Sequence, residues 1–260
     1  MLIESHGSAG TPGFVSGNGL RLRYREWSAE APSARDALPL VCLHGIGGAA
    51  NDWEAVAGAL AQQRRVIAFD ARGHGDSEWS PTAEYSTDAH FADLACALDE
   101  LGIERCVLVG YSMGGGVAIL AAHALGARVE RLVVVDTYPG PEMTEGSRRI
   151  AGFIAQGPPL EDGRPRFDPA ISAAFRRDLA AGQPQRVNLW PHWDALECPT
   201  LLVRAGASRV LPEPVAIEMQ ARLPQTHVVT LEGATHGVLR YSAPPLIEAM
   251  TAFLGGSSQA

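Results

Sequence analysis

The chain carries the pentapeptide GYSMG (Gly110–Gly114) between two apolar segments. The run before it, CVLV (Cys106–Val109), is short and apolar, which is typical of a buried strand. The segment after it, GGVAIL (Gly115–Leu120), leads into an alanine-rich stretch and predicts a helix. A serine on a sharp strand-to-helix turn is exposed, and glycines beside it let the backbone make that turn. Because the N–H groups of the helix point toward negative charge developing at the turn, Ser112 is a candidate nucleophile.

Composition and charge narrow the class of protein. A chain of 260 residues, 46% hydrophobic and 19% charged, is long enough to fold as one α/β enzyme domain. The net charge of -8 argues against a nucleic-acid partner. No apolar run approaches the roughly 18 residues of a membrane-spanning helix. We expect a small-molecule substrate and neither a nucleic-acid nor a membrane partner, and no pattern indicates an oligomeric state.

The cysteines and the N-terminus indicate the compartment. The four cysteines form no CxxC pair, which predicts reduced thiols. The N-terminus has no basic stretch followed by an apolar core, so we expect no signal peptide and a cytoplasmic location. No cluster of histidine, cysteine and carboxylate residues has the spacing of metal ligands, so we expect no metal and no cofactor.

Strands and helices alternate along the chain. Residues 1–13 are small and polar and predict a loose arm. Several of the predicted strands are continuous apolar runs, which is typical of a mostly parallel sheet covered by helices on both faces. The predicted strands lie at 20–27, 40–43, 66–69, 106–109, 131–135, 200–203 and 227–231.

Residues 137–195 interrupt this alternation. The segment contains eight prolines and shows no strand pattern, but Ile150, Phe153, Ile154, Ile171 and Phe175 have helical spacing. An insertion of this length in a compact domain is usually functional. We therefore expect a small helical cap over the active site, with the α/β core formed by residues 1–136 and 196–260.

A glycine-rich loop follows an early strand and brings backbone donors toward Ser112. The loop is HGIGG (His44–Gly48), which has little side-chain bulk after its histidine. The ends of parallel strands meet at one edge of the sheet, so this loop is expected beside the serine. The backbone N–H groups of Ile46 and Met113 are therefore candidates for an oxyanion hole.

A histidine follows the last predicted strand, in GATHG (Gly233–Gly237). Its position after the nucleophile and at the end of a strand suits His236 to act as the general base. With DARGHGDS (Asp70–Ser77), this motif, the HGIGG loop and the GYSMG turn occur in an order that resembles the α/β-hydrolase family.

The resemblance extends over about residues 14–255 and implies the fold as well as the chemistry. It implies a doubly wound, mostly parallel eight-stranded sheet with a cap between strands six and seven. It implies Ser112 as nucleophile, His236 as base and the amides of Ile46 and Met113 as oxyanion donors. The family includes esterases, lactonases, thioesterases, carbon–carbon bond hydrolases and haloperoxidase-like enzymes, together with a few lyases and cyclases.

The chain departs from the family pattern at the acidic residue. The family acid usually follows strand seven in a pattern like G-x-x-D-x-x-x-P, and here Ser208 occupies that position. The neighbouring strand six ends at Asp136, from which a carboxylate can reach the same histidine, so we assign Asp136 as the orienting acid. The alternatives are that Asp136 only ties down the first cap turn with Thr137 while His236 works in a dyad, or that Glu213 supplies the carboxylate.

We expect a serine hydrolase that acts on a small to medium apolar ester, lactone or thioester through a Ser-His-Asp triad and an acyl-enzyme. His44 is also expected to hydrogen-bond the oxyanion loop, and His90 and His123 are expected to be surface or packing residues. The expected substrate pocket is lined by His44, Trp53, Tyr111, Trp190 and Trp193.

Three alternatives belong to other classes. One is a non-hydrolytic enzyme of the same fold, a lyase or cyclase of secondary metabolism, and another is a non-catalytic ligand receptor. The third is a nucleotide-binding oxidoreductase, because GIGGAA (Gly45–Ala50) fits G-x-G-x-x-A and Asp70 ends the next strand. The helix start indicated by Asn51 and Asp52 is late for binding a pyrophosphate, and this reading leaves the serine and the late histidine unexplained.

Overall fold

The computed structural model describes residues 10–29, 37–182 and 187–255. Eight strands form one sheet in the order β1-β2-β4-β3-β5-β6-β9-β10, and the short β7 and β8 pair separately as a hairpin. β1 and β2 are antiparallel to each other, β2 is antiparallel to β4, and the other pairs of the large sheet are parallel. This confirms the expected doubly wound, mostly parallel eight-stranded sheet. The strands are β1 Thr11–Ser16, β2 Arg21–Trp27, β3 Leu40–Leu43, β4 Val66–Phe69, β5 Cys106–Tyr111, β6 Val129–Val135, β7 Leu160–Glu161, β8 Arg164–Pro165, β9 Thr200–Ala205 and β10 Thr226–Leu231.

Helices cover both faces of the sheet. They are α1 Glu54–Leu60, α2 Thr87–Glu100, α3 Met113–Leu125, α4 Glu145–Ala155, α5 Pro169–Ala180, α6 Trp190–Asp194, α7 Glu213–Arg222, α8 Val238–Tyr241 and α9 Ala243–Gly255, with 3-10 turns at Ala50–Trp53 and Gly126–Arg128. On β5, Leu108 joins the apolar cluster beneath α2, α3, α6 and α7, whereas Val107 and Val109 join the cluster beneath α1 and α9. Because both faces are buried, the central strands β3 and β4 are apolar at every position.

The expectation of a loose arm at residues 1–13 is wrong for residues 11–13. They belong to β1, an edge strand that pairs with β2. The sequence signal was weak because an edge strand needs few apolar residues, and in β1 only Val15 is fully buried. Residues 1–9 of the expected arm lie outside the described residues.

The insertion at residues 137–195 lies between β6 and β9. α4 and α5 pack against each other around a small apolar cluster that includes Ile154, Phe167 and Ile171. The β7–β8 hairpin between them was not predicted. α6 turns away from this pair and packs against α3 in the core, where Trp193 is fully buried. The division into a core and one cap stays a prediction.

Candidate active site

Ser112 sits on a strained turn between β5 and α3. Its φ of 53° and ψ of -115° place it in a region that non-glycine residues rarely adopt. The surrounding backbone holds this conformation, because the Ser112 N–H donates to the carbonyl of Val135 at 3.0 Å. A Cβ atom at Gly114 would overlap backbone atoms of Leu43 and His44, so only glycine lets α3 approach the end of β3 this closely.

The predicted nucleophile, base and acid form one hydrogen-bonded chain. Ser112 Oγ lies 3.0 Å from His236 Nε2, and His236 Nδ1 lies 2.7 Å from Asp136 Oδ2. Asp136 is fully buried at the end of β6, and its second oxygen accepts the Ala205 N–H at 3.3 Å. A carboxylate only accepts, so Nδ1–H donates to Asp136 and Nε2 is free to accept the serine proton.

Tyr111 supports the loop that carries His236. Its hydroxyl donates to the His236 carbonyl at 2.5 Å, and the two rings lie 5.0 Å apart. Burial raises the pKa of Tyr111, so the hydroxyl stays protonated as a donor. Tyr111 therefore helps to hold the loop that carries His236 in place.

Ser208, at the usual acid position of the family, and Glu213, the other candidate carboxylate, have different partners. Ser208 Oγ accepts the Val210 N–H at 3.1 Å. Glu213 is exposed at the start of α7, 3.9 Å from Arg204. The first turn of the insertion is tied down by the Thr137 hydroxyl, which lies 3.1 Å from the carbonyl oxygens of Ser112 and Val135. Asp136 is therefore the carboxylate that contacts His236.

The glycine-rich loop is bonded to the start of α3. The Gly114 N–H donates to the His44 carbonyl at 3.1 Å, which brings the loop beside Ser112. Ile46 and Met113 both line the cavity that contains the serine. Within the described part of the chain, neither residue's backbone N–H has a hydrogen-bond acceptor.

His44 holds this loop and does not reach the cavity. Its Nε2 accepts the Ala71 N–H at 3.0 Å, so its Nδ1–H donates to the Gly45 carbonyl at 2.7 Å. Burial lowers the pKa of His44, which keeps the ring neutral in this tautomer. The expected contact with the oxyanion loop is present, and the expectation that His44 lines the substrate pocket is wrong.

A cavity of about 380 Å³ opens over Ser112 between the sheet edge and the insertion. Polar groups face it mainly from the segment that enters α2 and from the first turn of the insertion. Its apolar wall is formed by Ile46, Met113, Met143, Ile150, Ile171, Phe175, Leu189 and Val210. Its polar lining consists of His74, Tyr85, Ser86, Thr87, His90, Thr137, Tyr138, Ser147 and Asp178.

The tryptophans and Tyr111 do not line this cavity as far as the described residues define its wall, which corrects the predicted pocket. Trp53 is fully buried beneath the other face of the sheet. The Trp193 indole N–H donates to the Met219 carbonyl at 2.9 Å, and the Trp190 ring packs 4.3 Å from the Arg222 guanidinium carbon. These tryptophans are large apolar side chains that were expected to be covered by other groups. They are covered by packing on the core and do not line the cavity wall that the described residues form.

Sequence reasoning missed the α2 side of the cavity. Thr87 and His90 both line it, although His90 was expected to be a surface or packing residue. The available signal was their spacing of three residues, which places them on one face of a helix.

The nucleotide-binding alternative is wrong. Asp70 is fully buried and accepts the N–H groups of Ala50 at 2.6 Å and of Asp76 at 3.0 Å. Asp52 Oδ2 accepts the Ala49 N–H at 3.0 Å. Two donors at the end of this segment, the N–H groups of Ala49 and Ala50, are thus bonded to the chain's own carboxylates, and the buried Asp70 cannot reach a ribose.

Residues 10–29, 37–182 and 187–255 contain neither a cluster of metal-ligand side chains nor a membrane-spanning helix. In these ranges no group of three or more histidine, cysteine, aspartate and glutamate side chains is placed to hold a metal ion. Among the helices of the same ranges, none has the length and apolar character needed to cross a membrane.

Comparison with known proteins shows the family. The profile of the alpha/beta hydrolase fold matches residues 39–170. The sn-1-specific diacylglycerol lipase ABHD11 of Mus musculus is 32% identical, over 83% of this chain and 80% of the mouse protein. A non-heme chloroperoxidase of Streptomyces lividans is 33% identical over 66% of this chain and 55% of its own length. The crystal structure of an alpha/beta hydrolase from Novosphingobium aromaticivorans is 27% identical with a TM-score of 0.76, covering 95% of this chain and 98% of that one.

The chain belongs to the α/β-hydrolase fold family. The expected family, fold class and enzyme class are thereby confirmed.

Proposed function

We propose that this protein is a serine hydrolase that transfers the acyl group of an ester, lactone or thioester to Ser112 and then to water. The observation that carries the proposal is the hydrogen-bonded chain from Ser112 through His236 to Asp136, at 3.0 and 2.7 Å. His236 Nε2 takes the serine proton during attack and gives it to the leaving group. A water molecule then attacks the acyl-enzyme while His236 Nε2 accepts its proton. The bond to Ser112 Oγ breaks, His236 returns the proton to Ser112, and the carboxylic acid is released.

Asp136 orients the base in this mechanism. Its carboxylate accepts the Nδ1–H of His236, which keeps the imidazole in the tautomer with a free Nε2 lone pair. The negative charge also stabilises the imidazolium that forms during proton transfer. The Ala205 N–H holds the carboxylate in place.

The amides of Ile46 and Met113 stabilise the tetrahedral oxyanion. Both residues line the cavity beside Ser112, and Met113 is the first residue of α3. A helix N-terminus favours negative charge. Loss of one such donor costs about 3–4 kcal/mol in enzymes where it has been removed.

The cavity suits a substrate of small to medium size. Its volume of about 380 Å³ lies at the lower end of small-molecule sites. Its apolar wall fits an acyl or alkyl chain, and the similarity to a mouse lipase supports an ester substrate. The cytoplasmic location stays a prediction.

Labelling with a fluorophosphonate probe, together with turnover of p-nitrophenyl esters, tests the proposal. The wild-type protein should be labelled and should hydrolyse at least one ester, whereas Ser112→Ala should lose labelling and about 10⁶-fold in kcat. Ser147→Ala, which changes another serine of the cavity, is the matched control and should keep labelling. An unlabelled wild type, or full turnover by Ser112→Ala with an unchanged circular dichroism spectrum, would contradict the mechanism.

A further inference from the structure

Two polar side chains of α2 face the cavity without a protein partner. Thr87 and His90 are three positions apart, lie on the same helix face and line the cavity that contains Ser112. Among the described residues, no group hydrogen-bonds to the Thr87 hydroxyl or to either ring nitrogen of His90. Both side chains therefore have unused hydrogen-bonding capacity at the wall of this cavity.

Burial makes the free imidazole informative. His90 is only 7% exposed, but its ring nitrogens are not fully closed off from solvent, so they stay accessible to a small molecule at the cavity wall. Burial, and then the positive charge of Arg72, lowers the pKa of His90 to about 3, so the ring is neutral. A neutral imidazole offers one donor and one acceptor, and the Thr87 hydroxyl can also do both.

The charges around the cavity exclude an anionic partner for this pair. Of the described residues that line it, Asp178 is the one with a full charge, and none is arginine or lysine. Arg72 forms an ion pair with Asp93, in which its Nε and Nη2 lie 2.6 and 2.7 Å from the two carboxylate oxygens. A carboxylate or phosphate would find no free cation here, whereas a neutral hydrogen-bonding group would be well matched.

We propose that Thr87 and His90 form a subsite for a hydroxyl group of the substrate. A hydroxyl both donates and accepts, so it can give its proton to the acceptor nitrogen of His90 and accept from Thr87. This inference rests on the proposed function for the reacting bond, and it adds the substrate class: an ester that carries a hydroxyl group on its acyl or its alcohol part. His90 is then a specificity-determining residue.

Two matched series of esters test the subsite. One contains p-nitrophenyl esters of linear acids with and without a terminal hydroxyl, and the other contains hexanoate esters of linear alcohols and of the corresponding diols. The readout is the ratio of kcat/KM for the hydroxylated over the plain ester at each chain length. The wild type should favour the hydroxylated ester by about tenfold in one series, as expected for a hydrogen bond in a desolvated site.

Variants assign that preference to the two side chains. His90→Phe keeps a ring but no hydrogen-bonding atom and should bring the ratio to about one. His90→Gln keeps a donor and an acceptor and should retain part of the preference, which a purely packing role would not explain. Thr87→Val should lower the ratio, and the matched control His227→Phe, on the exposed side of β10, should keep the wild-type ratio.

A binding measurement separates this proposal from the reaction mechanism. In Ser112→Ala, titration with 1,6-hexanediol should move the ¹⁵N resonances of His90 more than titration with 1,6-dimethoxyhexane, which cannot donate. Absence of ester turnover and of fluorophosphonate labelling would contradict the proposed function alone. No preference for hydroxylated esters in either series, or an unchanged ratio in His90→Phe, overturns the subsite, as does an equal response of His90 to the two titrants.

Discussion

The sheet edge that carries the proposed triad and the insertion that lies over it are held in place in different ways. At the sheet edge, Ser112, His236 and Asp136 are bonded to one another and to the backbone of neighbouring strands. The α4–α5 part of the insertion is joined to the core by individual hydrogen bonds, among them the Asp168 N–H to the Gly73 carbonyl at 2.8 Å, the Gly146 N–H to the Arg209 carbonyl at 3.0 Å and the Tyr85 hydroxyl to the Asp168 carboxylate. Its helices α4 and α5 share a small apolar cluster of their own.

Because of this difference, we expect one region to determine the reaction rate and the other to determine substrate preference. The reacting atoms depend on backbone geometry, which few side-chain changes can alter. The shape of the cavity depends on helix faces, where one side chain can be exchanged without disturbing the sheet. We therefore expect changes at the sheet edge to affect the rate on every substrate, and changes in the insertion to affect the ratio between substrates.

After loss of the nucleophile Ser112, the largest effect is expected at Asp136. Asp136→Asn should keep the fold but favour the wrong imidazole tautomer, and the corresponding change in a serine protease costs about 10⁴ in kcat. Ester turnover at saturating substrate measures the loss. Adding Ser208→Asp should recover part of it, because the Ala207 N–H donates to the Ala234 carbonyl at 2.8 Å and so joins this loop to that of His236. Wild-type turnover by Asp136→Asn would show that His236 works without an acid.

Trp193 lies in the insertion by sequence but packs in the core, so its replacement tests where the insertion ends. Trp193→Ala removes a fully buried indole and its hydrogen bond to Met219, and should lower the free energy of unfolding by about 3–5 kcal/mol. The preference between short and long acyl chains should not change. Denaturant unfolding measures the loss, with the half-buried Trp190→Ala as the milder comparison. A shifted chain-length preference without a loss of stability would indicate that Trp193 lines the substrate pocket.

Phe175 should control acyl-chain length. It lines the apolar wall from α5, and Phe175→Ala enlarges the cavity there. The ratio of kcat/KM for a long over a short acyl ester should rise about tenfold. Phe153→Ala changes an exposed phenylalanine of α4, at 60% exposure, and should leave the ratio at its wild-type value. Equal ratios in Phe175→Ala and wild type would place the acyl chain elsewhere.

A further effect concerns the pH dependence of stability. The folded-state pKa of His90 is lowered from 6.5 to about 3, so below pH 6.5 the unfolded chain binds a proton that the folded protein does not. Its share of the free energy of unfolding is present above pH 6.5 and falls by about 1.4 kcal/mol per pH unit as the pH decreases toward 3. His90→Gln lacks this share and should show a shallower slope in urea unfolding between pH 7 and pH 5. The exposed His227→Gln should keep the wild-type slope, and an equal slope in both variants would be inconsistent with a neutral buried His90.

Much of the sheet edge could be predicted from the sequence because its features are local. A strand, a glycine-flanked serine and a helix follow one another within one segment. The adjacency of strands six and seven predicts that Asp136 can reach His236, and the two side chains lie 2.7 Å apart, while the role of Asp136 as the orienting acid stays a prediction. The cavity wall could not be predicted in the same way. Trp53 and Trp193 are large apolar residues that need cover, but only the tertiary packing decides that they receive it from the core.

His90 was misjudged for a related physical reason. A single histidine in a helical sequence gives the same signal whether its face of the helix contacts the core, solvent or a cavity. What distinguishes this one is that α2 leaves its N-terminal turn over the cavity while its later turns pack on the sheet, where Leu94 and Leu98 are buried.

The glycine contact between α3 and the end of β3 has a consequence for how the enzyme responds to temperature. Backbone meets backbone at Gly114, with no side chain between helix and strand that could change its rotamer. We therefore expect the loop with Ile46 and the helix start with Met113 to move together, so that the separation of their two N–H groups changes little on heating. Little rearrangement is left for the moment of reaction, so we expect the chemical step to carry only a small entropic barrier.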